Sequence, residues 1–131
     1  MPDGKVVVIT WGQPDGMPAA SLVAALRPLM PPPPPGAPGP FALSDEAALR
    51  KFAEDAGLRP IEVFDVAGPF HYPELETGVR ALNSAGVAAR AMENSSEEAV
   101  SQAHREALVP FRQADGTYRV AATFRCLLAL P

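Results

Sequence analysis

The chain has 131 residues, 47% of them hydrophobic, enough for one core that removes roughly two-thirds of the unfolded surface from water. Its formal charge of −4, from 11 Lys and Arg against 15 Asp and Glu, gives no basic footprint for nucleic acid or an anionic membrane surface. A single cysteine, Cys126, rules out an internal disulfide, two distant histidines fall short of the usual metal-ligand sets, and neither a long apolar run nor a signal-like start appears, so the reading is a cytoplasmic protein.

The first element is Lys5-Val6-Val7-Val8-Ile9-Thr10. This β-branched run is apolar without alternation, which predicts a strand buried on both faces of a parallel sheet, ended by Trp11-Gly12. From 18 to 30, Leu22, Leu26 and Leu29 recur at three and four positions and predict a short helix that Pro28 bends or ends. Residues 31–40 are five prolines followed by Gly-Ala-Pro-Gly-Pro. They cannot supply ladder hydrogen bonds and should run as polyproline II, either as a stiff surface connector or as a motif that recruits a proline-binding partner.

Ser44 has the chemistry of an N-cap, Asp45 and Glu46 suit the positive end of a helix dipole, and Leu49, Phe52, Ala53 and Ala56 form one stripe before Gly57. A helix over 45–56 is expected. The segment from Ile61 to Val66 alternates as a strand, ended by Ala67-Gly68-Pro69. Pro73 opens a predicted helix to about 85, with Leu75, Val79 and Leu82 on one face. Ser95 and Glu98 have capping-box spacing for another over 96–110, striped by Val100, Ala103, Ala107, Leu108 and Phe111. After the turn Ala114-Asp115-Gly116-Thr117, residues 118–130 read as one long strand, with Tyr118, Val120, Ala122, Phe124, Cys126, Leu128 and Leu130 on its apolar side.

Three segments carry a family resemblance. Asp3-Gly4-Lys5-Val6-Val7-Val8-Ile9-Thr10-Trp11 runs from a short glycine-containing turn into a strand, Ala56-Gly57-Leu58-Arg59-Pro60-Ile61-Glu62-Val63 joins a helix to a strand, and Asp115-Gly116-Thr117-Tyr118-Arg119 opens the last strand. In this order they resemble the fifth, sixth and seventh strands of a class I, Rossmann-like AdoMet-dependent methyltransferase, and the chain looks like the C-terminal half of that family. The resemblance implies an incomplete α/β fold, α+β as an isolated fragment. It would hold a three-stranded mixed sheet with the last strand antiparallel and central, about four helices, and a single domain over 1–131 with its connector at 31–40. AdoMet is implied for the complete family fold. Here no G-x-G-x-x-G is present, and Gly36 and Gly39 lie in the proline tract, so no cofactor residue is carried over and no activity is expected from the chain alone.

The substrate side remains. By resemblance, the segment after the first strand and the one after the second wall the acceptor pocket, which nominates Trp11, Phe70, His71 and Tyr72 as substrate-binding residues. His71 is the candidate general base, because imidazole titrates near neutral pH and Phe70 and Tyr72 would partly desolvate it. The alternative is a loop clamped by aromatic packing with His71 at the surface. Trp11 either stacks on a planar acceptor or plugs a core edge. His104, amid polar neighbours, is expected to face solvent, and Cys126 to be a buried, inert thiol. Three functions follow: a methyltransferase fragment inactive by itself, a stand-alone small-molecule-binding module, or a companion or regulatory subunit of a full-length methyltransferase. The expected partners are a small-molecule acceptor and either a second copy, through the open edge at 5–10, or the missing N-terminal half.

Overall fold

A computed structural model describes residues 3–131; Met1 and Pro2 lie outside the described residues. The fold is mixed α/β, with five α-helices and two small antiparallel sheets among the described residues. The chain divides into two compact units.

The first unit comprises 3–17, Gly36–Gly68 and Ala122–Pro131. It holds β1 (Val6–Trp11), α2 (Glu46–Asp55), β2 (Arg59–Ala67) and β5 (Thr123–Leu130), with the strands in the order β1-β5-β2. Both ladders are antiparallel, so β1 and β2 run parallel to each other on either side of the last strand. The sheet therefore contains no parallel pair, where a mixed sheet was expected. Residues opposed across a ladder share a face. Val8, Leu127 and Val63 form one such row, and they pack beneath Leu49 and Ala53 of α2 in a core that also takes Leu43, Leu58 and Ala129.

The opposite face is made of the rows Val7–Leu128–Glu62, Ile9–Cys126–Phe64 and Trp11–Phe124–Val66. Val7 is 53% exposed, Ile9 64%, Phe64 41% and Val66 45%. The expectation that β1 is buried on both faces is thus overturned: β1 is an edge strand with one covered and one open side. Its unbroken apolar run reflects surface left uncovered within this unit. For β5 the expected polarity of faces is also altered, because Leu127 and Ala129, on the side opposite Phe124 and Cys126, are the fully buried ones.

Helix α2 starts one residue later than its sequence signal. Asp45, rather than Ser44, is the N-cap, its Oδ2 accepting from Ala48 N–H at 2.9 Å. Ser44 is buried, and its hydroxyl donates to the Trp11 carbonyl at 2.9 Å, tying the helix start to the end of β1. At the other end Gly57, at φ +83°, allows Leu58 N–H to reach the Ala53 carbonyl and Gly57 N–H that of Glu54, the paired bonds of a Schellman stop.

The second unit, Pro18–Pro35 and Pro69–Ala121, contains α1 (Ala20–Ala25), β3 (Phe70–Tyr72), α3 (Leu75–Asn83), α4 (Gly86–Asn94), α5 (Glu97–Leu108) and β4 (Tyr118–Val120). Pro28 sits in a 3₁₀ turn at Arg27–Leu29 after α1. The core joins Leu26, Ala88, Ala91 and Val100, flanked by Leu29, Met30, Met92 and Ala103. Five α-helices stand where about four were expected, the extra one being α4, whose buried face consists of the small residues Ala88 and Ala91. The single strand expected over 118–130 is two: β4 pairs with β3, and β5 begins after Ala121 and Ala122. No helix among the described residues is long and apolar enough to cross a membrane.

Candidate functional site

Of the four acceptor-side candidates, three are neighbours on β3. Phe70 opposes Val120, His71 opposes Arg119 and Tyr72 opposes Tyr118. The segment expected as a loop is a short strand because 118–120 offers it a partner far along the chain. Strand alternation turns His71 to the exposed face and Phe70 and Tyr72, both half-buried, to the other. The aromatic neighbours therefore do not flank the imidazole, and the cation Arg119 stands across from it. The nearby turn acid is Asp115, whose carboxyl is held below the usual carboxylate range by hydrogen bonds from the Thr117 hydroxyl and N–H, with a smaller electrostatic contribution from His71.

Tyr72 packs inward. A Cβ placed on Gly78 of α3 would lie 2.9 Å from its ring and 3.0 Å from Leu108 Cδ1, so glycine is what lets helix and ring approach. Burial raises the Tyr72 phenol above its ordinary pKa.

Trp11 belongs to the first unit, at the end of β1. It stacks on Phe124 with centroids 5.2 Å apart and planes at 20°, and meets Phe41 at 5.9 Å and 52°. Gly12 follows it closely against the last strand: a Cβ there would be 2.8 Å from the Thr123 carbonyl oxygen, which accepts from Gly12 N–H at 2.8 Å. Beneath the same strands, Arg125 grips Asp65 through two hydrogen bonds of 2.8 and 3.0 Å and donates to the Ser44 carbonyl at 2.6 Å. That contact lowers the Asp65 pKa and raises that of Arg125.

The same geometry tests whether AdoMet could be held here. The glycine that leaves β1 is filled by Thr123 backbone, and Gly16, at φ +72°, precedes only the six-residue α1. No open glycine cradle leads from the end of β1 into a helix longer than six residues.

Two further features stand apart from the four nominated residues. His104 is 2% exposed, which overturns its expected solvent-facing position. Its Nδ1 lies 2.7 Å from Asn83 Oδ1, and Asn83 Nδ2 donates to Ser101 Oγ at 2.9 Å, so the chain α5–α3–α5 is closed by polar bonds. Burial lowers the His104 pKa. The second feature is an open groove of about 470 Å³ on the second unit, lined by Ser21, Ala25, Ala103, Glu106, Ala107, Pro110 and Phe111. Ala25, Ala103 and Ala107 are among its lining, a small-residue signal that hydrophobic periodicity does not distinguish from ordinary helix packing. None of the four nominated residues lines it.

Compared with models of known protein families the chain matches none, and no curated protein matches it either.

Proposed function

We propose that this chain is the acceptor-side, C-terminal portion of a class I methyltransferase fold, that it lacks the AdoMet-binding half, and that it is inactive alone. The observation that supports the reading is the strand order β1-β5-β2, in which the terminal strand lies antiparallel between two strands that run parallel to each other. In the family resembled, the seventh strand takes that place between the fifth and sixth. Helix α2, just before β2 and packed over the sheet, occupies the position of the helix between those strands. On this reading the free edge of β1 and its open apolar face receive the missing half, and β3 with the residues around Tyr72 contributes to the acceptor wall.

The companion-subunit reading draws on the same open edge, since an apolar edge strand without proline or inward charge is suited to pairing with another chain. Calorimetric titration of the purified chain with AdoMet tests the first reading: no binding is expected, and a dissociation constant of micromolar or tighter would overturn it. Neighbouring DNA separates the two. A reading frame just upstream encoding a strand, a glycine-rich turn and a helix supports the fragment, and an unrelated one supports the companion subunit.

A further inference from the structure

Five consecutive prolines, Pro31 to Pro35, follow the 3₁₀ turn at Arg27–Leu29. A proline ring fixes φ near −65°, and a residue that precedes proline is driven out of the helical region. Pro31 to Pro34 are each both, so sterics alone confine them to the polyproline II form, which Met30 enters with ψ 150°. Pro35 is the first of the run that no proline follows, and there the chain turns, with Gly36 at φ +76°.

Polyproline II repeats every three residues, so Pro31 and Pro34 lie on one ridge and Pro32 and Pro35 on the next. Residues 32–40 are all exposed, and no charged residue stands between Arg27 and Asp45. A connector needs only length, which flexible residues would supply. An uninterrupted proline ridge adds an ordered surface whose carbonyls accept hydrogen bonds, and a partner that grips it avoids the cost of ordering a flexible segment.

We infer that 31–35 is a docking segment for a protein module with an aromatic-lined groove that recognises polyproline II without a charged anchor. The pyrrolidine rings would seat between aromatic side chains, and indole or phenol donors on the groove would reach the carbonyls. Pro32 and Pro35 are both exposed whereas Pro31 is half-buried, so the ridge of Pro32 and Pro35 is the one presented to the groove. This inference stands apart from the methyltransferase reading.

The test uses the full chain and three isotopically labelled probes, an SH3, a WW and an EVH1 domain, followed by NMR titration. At least one should show saturable shifts at its groove aromatics with a dissociation constant below about 1 mM. The variant Pro33→Gly/Pro34→Gly should weaken that binding at least tenfold with an unchanged melting temperature. The inference fails if none of the probes responds, or if the variant binds as the parent does. It also fails if the variant loses several degrees of melting temperature without loss of binding, which marks the run as a structural strut.

Discussion

His104 Nδ1 lies 2.7 Å from Asn83 Oδ1, a polar contact between α5 and α3 that sits beside a fully apolar core. With the Asn83 amide nitrogen donating to Ser101, its oxygen accepts from Nδ1–H, a donor that the neutral and the protonated ring both offer. Burial depresses its pKa below 6.5. Above that value both folded and unfolded states hold a neutral ring, and the shift has no effect on stability. As pH falls through 6.5 the unfolded chain takes the proton first, so stability declines until the folded pKa is passed. Urea denaturation between pH 7.5 and 5 should show this loss, and His104→Phe should flatten it. Equal acid sensitivity in the variant would place the effect elsewhere.

Removing the acceptor tests the same contact from α3. Asn83→Ala leaves a buried imidazole N–H unpaired, which costs about 1–3 kcal/mol. Asn83→Asp reverses the sign of the pH dependence: the carboxylate favours the imidazolium, the folded pKa rises, and the pair's contribution is present below the unfolded pKa and lost as pH rises through the folded one. A variant whose stability still falls on acidification from pH 7.5 to 5 would contradict this arrangement.

At Gly78 two effects oppose each other. Alanine gains about 1 kcal/mol of helix propensity over glycine. Here its Cβ would lie 2.9 Å from the Tyr72 ring and 3.0 Å from Leu108 Cδ1, and overpacking of that kind costs about 1–3 kcal/mol. Gly78→Ala should therefore destabilise on balance and change the near-ultraviolet signal of Tyr72. A stabilised variant would mean that helix and ring separate readily.

Arg125 draws β5 to β2 through Asp65 and reaches Ser44, with its own side chain 16% exposed and that of Asp65 44%. Arg125→Ala is expected to cost about 1–2 kcal/mol, less than a fully buried charged pair because water screens the Asp65 side. A melting temperature within a degree of the parent would show that the network adds nothing.

Much of this architecture is written locally. The β-branched run at 6–9, the stripe Leu49–Ala53 with its Gly57 stop, and the Asp115-Gly116 turn each specify their own element, because side-chain period, capping and positive φ act within a few residues. What stayed hidden depends on distant partners. The 118–130 alternation runs straight through Ala121 and Ala122, so period alone could not reveal that β4 turns to Phe70–Tyr72 while β5 turns to β1 and β2. His104 looked polar-faced because its acceptor, Asn83, lies on another helix. At the candidate site, which residues would flank His71 depended on whether 70–72 was a loop or a strand, and only the pairing decides that.

The open face of the first unit predicts self-association of the isolated chain and also its geometry. Two-fold antiparallel pairing of β1 with its copy keeps equivalent faces on the same side and would enlarge the apolar surface of Val7, Ile9, Phe64 and Val66. Stacking face to face covers it. Val7→Lys, at a position 53% exposed, should change monomer stability by less than about 1 kcal/mol and abolish a stacked dimer in light scattering, whereas an edge-paired dimer would survive it. A parent chain that is monomeric at micromolar concentration would contradict both.

The most direct measurement is AdoMet binding by the protein in its native setting, isolated by an affinity tag on this chain and compared with the recombinant chain. Micromolar binding is expected of the native assembly and none of the chain alone, because this sequence contains no G-x-G-x-x-G and the open Gly16 leads only into the six-residue α1. Binding by the chain alone, or none by the native assembly, would contradict this expectation.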